Sequence, residues 1–239
     1  MEMAAIIGHR GAAKIAPENT LAGILAAKAC GLSWVEMDVI LMGDGSLIMH
    51  HDRTLNRCTN GRGEVIKLGL NDLNGLEAGD GEQIPTLQQA LTLIQQLNMA
   101  INLEIKMHRH TPKALVFPVI DALNKNPQLL EEGRVVVSSF DHQVLQICRQ
   151  LRPDIPLAHL FGSLPENWSD LVQAVGAVCV NLNQRLVKKS DIVTVRDAGF
   201  EVYCYTVNKA SRASKLFSWG VTGVFTDDPL SISCAITQA

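Results

Sequence analysis

The stretch Trp34 to Asp52, W-V-E-M-D-V-I-L-M-G-D-G-S-L-I-M-H-H-D, gathers two carboxylates and an imidazole in one short span. Two apolar runs flank Gly43-Asp44-Gly45, whose glycines tolerate positive φ, so the stretch predicts a β-hairpin. Strand side chains alternate between faces, which puts Glu36 and Asp38 on the same side. Folding about the turn returns His51 to a place opposite Asp38. Carboxylate oxygens in such a group suit a hard cation, and an imidazole beside them suits proton transfer. For this stretch taken alone, the plain alternative is a solvated hairpin edge carrying ordinary charges.

Two further stretches carry the same residue types. Ala4 to Gly8 is a short apolar run ending in His9-Arg10-Gly11, and the alternating run Ala100 to Lys106 ends in Glu104-Ile105-Lys106. His9, Glu36 with Asp38, and Glu104 with Lys106 thus stand at the carboxyl ends of three successive predicted strands. Three neighbouring carboxylates repel one another unless a counter-ion lies between them, so one divalent cation is expected there. Oxygen-only ligation points to Mg²⁺ or Ca²⁺, because no Cys joins the cluster and the histidines are free for other work. Arg10 and Lys106 bring positive charge to the same rim, and a guanidinium grips phosphate oxygens two at a time. A cation, two bases and two positive side chains together suit phosphoryl transfer.

These placements require parallel strands joined by helices. Candidate strands begin near residues 4, 34, 101, 134, 156, 177, 201 and 221, with Leu47 to His50 as a ninth. That ninth run returns through a tight turn and must be antiparallel, so it stands above a barrel mouth rather than in its wall. Helices are predicted over Leu21 to Cys30, with Asn19 or Thr20 as cap, and over Leu87 to about Leu97, with Thr86 as cap. Others cover about Lys113 to Leu123, with a kink or late start at Pro118, then Asp141 to Leu151, Ser169 to Val175 and Lys189 to Ala198, and a last one ends at Ser218. Arg53 to Glu82, rich in Gly, Asn and Asp, reads as an irregular excursion with one or two helical turns. The expected fold is an α/β (β/α)8 TIM barrel over residues 1–239 as a single domain, with a β-hairpin extension and a small insertion after strand 2. An open doubly wound sheet is the lesser option.

Composition narrows the function classes. Hydrophobic content of 47% with 19% charged residues describes a globular chain with a substantial core. A formal charge of −3 argues against a nucleic-acid partner. No apolar run approaches the roughly 18 residues of a membrane span, and no basic segment followed by an apolar core opens the chain, so a cytoplasmic protein without integral membrane association is expected. Cys30, Cys58, Cys148, Cys179, Cys204 and Cys234 are scattered without a C-x-x-C pair, as free thiols in a reducing compartment would be. Oligomeric state leaves no mark in the sequence.

His9-Arg10-Gly11, Pro17 to Thr20, Glu36-Met37-Asp38, His51-Asp52 and Asn102 to Lys106, in this order and spacing, resemble the glycerophosphodiester phosphodiesterase family. The later V-S-S-F, Y-T-V-N and G-V-F-T-D-D-P segments extend the resemblance over nearly the whole chain, and it is closest to the short cytoplasmic bacterial type. The resemblance implies hydrolysis of a small-molecule glycerophosphodiester, such as glycerophosphocholine or glycerophosphoethanolamine, to glycerol 3-phosphate and an alcohol. It implies metal ligation by Glu36, Asp38 and Glu104 and acid–base roles for His9 and His51. In a family-like scheme the neighbouring glycerol hydroxyl attacks phosphorus, and water then opens a cyclic phosphate. Two features depart from the pattern: the excursion before Ile84 is abbreviated, and Tyr205 stands where many relatives carry Trp.

Other residues carry competing readings. Arg10 and Lys106 are assigned to phosphate, against a solvated rim charge or a simple ion pair. Asn19 either caps the helix or touches the site. Phe140 and Tyr205 wall the substrate pocket or merely pack. Asp52 orients a neighbour, His50 faces away, and Asp227 and Asp228 sit on the same rim but are read as caps of the final loop. His108, His110, His142 and His159 are read as surface or core residues. Alternative functions are a barrel phosphodiesterase for lysophospholipid or phosphoinositide head groups, a metal-dependent sugar isomerase and a non-catalytic phosphate-binding barrel.

Overall fold

Apolar strands alternating with capped helices carry the chain around a ring. In the computed structural model, which describes residues 3–236, the first half runs β1 (Ile6–Gly8), α1 (Leu21–Ala29), β2 (Trp34–Leu41), β3 (Leu47–Met49), α2 (Leu87–Gln96), β4 (Ala100–Ile105), α3 (Pro112–Asn124) and α4 (Pro127–Glu131). The second half runs β5 (Val135–Ser139), α5 (His142–Leu151), β6 (Leu157–Phe161), α6 (Trp168–Ala174), β7 (Cys179–Asn183), α7 (Lys189–Asp197), β8 (Glu201–Tyr205), α8 (Ala210–Phe217), β9 (Gly223–Thr226) and α9 (Pro229–Ile236). β1 pairs in parallel with both β9 and β2, which closes eight parallel strands into a TIM barrel. β3 lies outside the ring, antiparallel to β2.

The period of two decides which residues meet inside the barrel. Val35, Met37 and Val39 of β2 pack under the helices, whereas Trp34 faces the interior. Ile7, Trp34, Ala100, Val136, Tyr203 and Phe225 belong to the apolar interior floor. Two and four residues beyond Trp34 come Glu36 and Asp38; two and four beyond Ala100 come Asn102 and Glu104. The interior therefore turns polar toward the carboxyl ends of the strands, the end where barrels place their chemistry. The hairpin has a small core of its own, in which Ile40, Met42 and Ile48 pack against Leu55, Val65 and Ile84 of the insertion.

Several local expectations change. The hairpin register pairs Val39 with Met49, and the His50 N–H donates to the Asp38 carbonyl at 3.0 Å, so His50 and not His51 stands opposite Asp38. His51 stands two residues past Met49, the last ladder residue, and reaches the site from the loop. α3 starts at Pro112 with Thr111 as its cap and runs through Pro118. The first-turn position suits Pro112, and the carbonyl that Pro118 leaves without a donor belongs to exposed Ala114, where water can take it. Thr20 caps α1, because Asn19 is turned toward Asp38 instead. α4 and α9 were not anticipated, and the insertion holds two 3₁₀ turns, Val65–Lys67 and Leu70–Leu73. No helix among the described residues is long and apolar enough to cross a membrane. Cys30, Cys58, Cys148, Cys179 and Cys204 are free thiols, and the Cys234 side chain lies outside the described part.

Candidate active site

β2 and β4 are neighbours in register, Glu36 beside Asn102 and Asp38 beside Glu104. This pairing brings Glu36, Asp38 and Glu104 together, with one oxygen of each within 4.8 Å of the others. All three are buried. Burial, and next the Asp38 charge, pushes the Glu36 carboxyl up to about 8. Glu104 is raised by the same two causes. Asp38 goes the other way: burial opposes its ionisation, but Lys106 and Arg10 outweigh burial and hold it low. Glu36 Oε1 and Asp38 Oδ1 are buried without a hydrogen-bond donor. Mutually repelling carboxylates with orphaned oxygens form an all-oxygen set that a hard divalent cation would satisfy.

The loop after β1 completes one side. Arg10 and Gly11 adopt φ of 52° and 90°, a left-handed turn that aims the Arg10 N–H at Glu36 Oε2 (2.9 Å). A Cβ on Gly11 would lie 2.6 Å from the Gly23 carbonyl carbon, so this turn packs directly on α1. The Arg10 side chain bonds Glu18 at 2.8 Å and its Nε lies 3.3 Å from Asp38. Asn19 holds Asp38 twice: its Nδ2 donates to Oδ2 and its Oδ1 accepts the Asp38 N–H, both at 2.9 Å. Its amide therefore supports Asp38, so that of the two roles the sequence offered, cap or contact with the site, the structure shows the second. Across the site, Lys106 donates to Glu104 at 2.6 Å and lies 3.6 Å from Asp38.

Each of the two histidines has a carboxylate on Nδ1. His9 Nδ1 lies 2.6 Å from Asp227 and its Nε2 3.8 Å from Glu36. Burial depresses the His9 pKa, but Glu36 and Asp227 outweigh it and the net shift is upward. His51 Nδ1 lies 2.6 Å from Asp52, and here burial prevails over the pull of Asp38, so its pKa falls. A carboxylate on Nδ1 fixes that nitrogen as the protonated one and leaves Nε2 for other partners. Asp52 is in turn held by Arg57 Nε at 2.6 Å, and Arg57 also grips Glu18, linking the loop of His51 to the loop of Arg10. Phe140 and Tyr205 meet edge to face, 5.8 Å between centroids, and Tyr205 Oη donates to the Phe161 carbonyl at 2.9 Å.

His9, Arg10, His51, Glu104, Lys106, Phe140 and Tyr205 line one pocket of about 410 Å³ at the barrel mouth. Asn183, Gln184, Arg185, Thr206, Asn208 and Asp227 complete it. His50 instead donates to the Thr54 carbonyl and His110 to the Leu41 carbonyl, both structural contacts. His108 is less remote than its sequence suggested, since it donates to the His51 carbonyl at 3.0 Å. Asp228 does cap, accepting the Ser231 N–H at the start of α9. Asp227 was misread as a second cap; standing immediately after the last barrel strand, it shares the rim with His9. Arg57 was missed: Asp52 lies five residues from it, but Glu18, which makes it a bridge between the two loops, lies 39 residues away.

The chain matches the Glycerophosphoryl diester phosphodiesterase family over residues 9–231. It is 30% identical over 236 residues to a glycerophosphodiester phosphodiesterase of Caldanaerobacter subterraneus subsp. tengcongensis, covering 94% of each chain. A glycerophosphodiester phosphodiesterase of Bacillus altitudinis is 31% identical, with 95% of this chain and 96% of that one aligned. Among solved structures, an Oleispira antarctica phosphodiesterase in complex with the product sn-glycerol-3-phosphate superposes with a TM-score of 0.92 at 31% identity, covering 98% of this chain and 97% of the other. The matched stretch includes every side chain of the mouth described above, and the chain belongs to the glycerophosphoryl diester phosphodiesterase family.

Proposed function

We propose that the protein hydrolyses glycerophosphodiesters, of the kind represented by glycerophosphocholine and glycerophosphoethanolamine, to sn-glycerol 3-phosphate and an alcohol. The observation that carries this reading is the convergence of three buried carboxylates and two histidine–aspartate pairs on one barrel mouth. The product bound to the Oleispira antarctica relative supports the same chemistry. Glu36, Asp38 and Glu104 would hold one divalent cation, Mg²⁺ or Ca²⁺, which when bound neutralises the triad and polarises the phosphoryl group.

His9 and His51 present their Nε2 atoms for proton transfer, one removing the proton of the attacking hydroxyl and the other delivering one to the departing alcohol. Asp227 and Asp52 keep each imidazole in the tautomer this requires. Arg10 and Lys106 face the phosphate oxygens, with charge shared between the substrate and the triad. Phe140 and Tyr205 wall the pocket and limit water around the reacting group. A reading as a lysophospholipid phosphodiesterase would call for an extended apolar surface at the mouth, and the lining is largely polar.

Phosphorus NMR of the protein incubated with glycerophosphocholine tests the proposal. Appearance of glycerol 3-phosphate is the expected result. Phosphocholine as the product, or turnover of lysophosphatidylcholine alone, would overturn it.

A further inference from the structure

The pocket above the triad is lined by five basic side chains, and four of them already face carboxylates. His9 is paired with Asp227, Arg10 with Glu18 and Asp38, His51 with Asp52, and Lys106 with Glu104 and Asp38. The fifth is Arg185. Its side chain is exposed, and among the described residues its guanidinium has no hydrogen-bond, carboxylate or aromatic partner. A guanidinium left unpaired on the wall of a phosphoryl-transfer pocket is positioned for an anion that arrives from solution.

The backbone that carries Arg185 is, by contrast, firmly fixed. Asn183 Oδ1 accepts the Arg185 N–H at 2.9 Å, and the Asn183 carbonyl accepts the N–H groups of Leu186 and Val187, each at 3.0 Å. The Gln184 N–H donates to the Tyr205 carbonyl at 2.9 Å. The Gln184 side chain accepts from Arg212 Nε at 3.0 Å, and Arg212 lies over the Trp219 ring, 5.1 Å from its centroid. A turn held at this many points loses little freedom when a ligand docks against it. The turn follows β7, which stands diametrically across the ring from β2, so it approaches the pocket from the side facing the triad.

We infer that Arg185 grips the phosphate from the far wall, its guanidinium donating to nonbridging oxygens of the diester and of the phosphate product. Arg10 and Lys106, lying 3.3 and 3.6 Å from Asp38, divide their charge between the triad and the ligand. Arg185 does not. It therefore determines how tightly phosphate is held more than how fast the P–O bond breaks. This inference rests on the functional reading above.

Binding of sn-glycerol 3-phosphate by calorimetry, together with steady-state kinetics on glycerophosphocholine, tests it in the wild-type protein and three variants. Arg185→Gln should weaken product binding and raise KM by about tenfold, with kcat within about twofold, as loss of a bidentate contact predicts. Arg185→Lys should fall between the two. Lys188→Gln removes the same charge from the same loop but outside the pocket, and should leave both quantities unchanged. If wild type binds the product and Arg185→Gln binds it equally well, Arg185 has no such role. An equal loss in Lys188→Gln would reduce the effect to bulk charge and overturn the assignment too. If the wild type neither binds glycerol 3-phosphate nor hydrolyses the diester, the functional reading itself falls, and this inference with it.

Discussion

At the scale of single residues, the two histidines are alike in their Nδ1 carboxylate and unlike in their surroundings. Removing either carboxylate should disturb the tautomer without unfolding the site. Asp227→Asn and Asp52→Asn are each expected to lower kcat by about 10–100-fold with KM nearly held, the scale typical of groups that orient a site histidine or ligand; an unchanged kcat would remove that aspartate from the mechanism. The triad makes a second prediction, for protein stripped of divalent cations. The Glu36 carboxyl titrates near 8 when folded, against an ordinary 4.5. Between these values the folded state holds a proton that the unfolded state has released, so stability falls as pH rises through that window. The melting temperature in chelator should therefore drop from the lower to the higher pH, and Glu36→Gln should flatten the slope. Added Mg²⁺ or Ca²⁺ should raise the wild-type melting temperature most at the upper end, where cation no longer competes with proton. A flat profile in chelator would show that the triad is not under charge strain. The residues of this triad were legible because strand periodicity and strand-end position together define an inward-facing rim. Asp227 was legible only as a rim aspartate, since its partner His9 lies 218 residues away.

At the scale of elements, the loop after β1 is the most constrained joint. Gly11 combines a φ of 90° with close approach to the backbone of Gly23 in α1. Gly11→Ala should destabilise the protein by about 2 kcal/mol or more, read as a lower urea midpoint, because both the left-handed backbone and the contact with α1 penalise a methyl group. At α2, Thr86 and Gln89 satisfy each other's backbone N–H groups. Thr86→Ala should cost about 1 kcal/mol while leaving kcat untouched. The hairpin shows where sequence patterning stops being sufficient. Alternation correctly placed Glu36 and Asp38 together, but turn length fixes register, and a one-residue difference put His50 opposite Asp38 and His51 beyond it. α3 shows the reverse case: intrinsic propensity argued for interruption at Pro118, and burial of Leu115, Val116, Val119 and Ile120 on either side held the helix together.

At the scale of the whole molecule, eight strand–helix alternations and a return strand that could not be parallel were enough to predict the barrel, and the ring closes through β1 as expected. The insertion was less legible because its order comes from tertiary contacts, Leu55, Val65 and Ile84 packing on the hairpin, and not from a local period. The same architecture explains why the site is shared among strands and loops far apart in sequence: β2 and β4 hold the carboxylates, and the loops around them hold the two histidines and the positive side chains. Cation dependence is thus the claim on which fold, electrostatics and chemistry meet. The decisive measurement is release of glycerol 3-phosphate from glycerophosphocholine in chelator, and again after Mg²⁺ or Ca²⁺ is restored. Activity that disappears with chelator and returns with the cation is the predicted result; full activity in chelator, or no product with either cation from demonstrably folded protein, would contradict it.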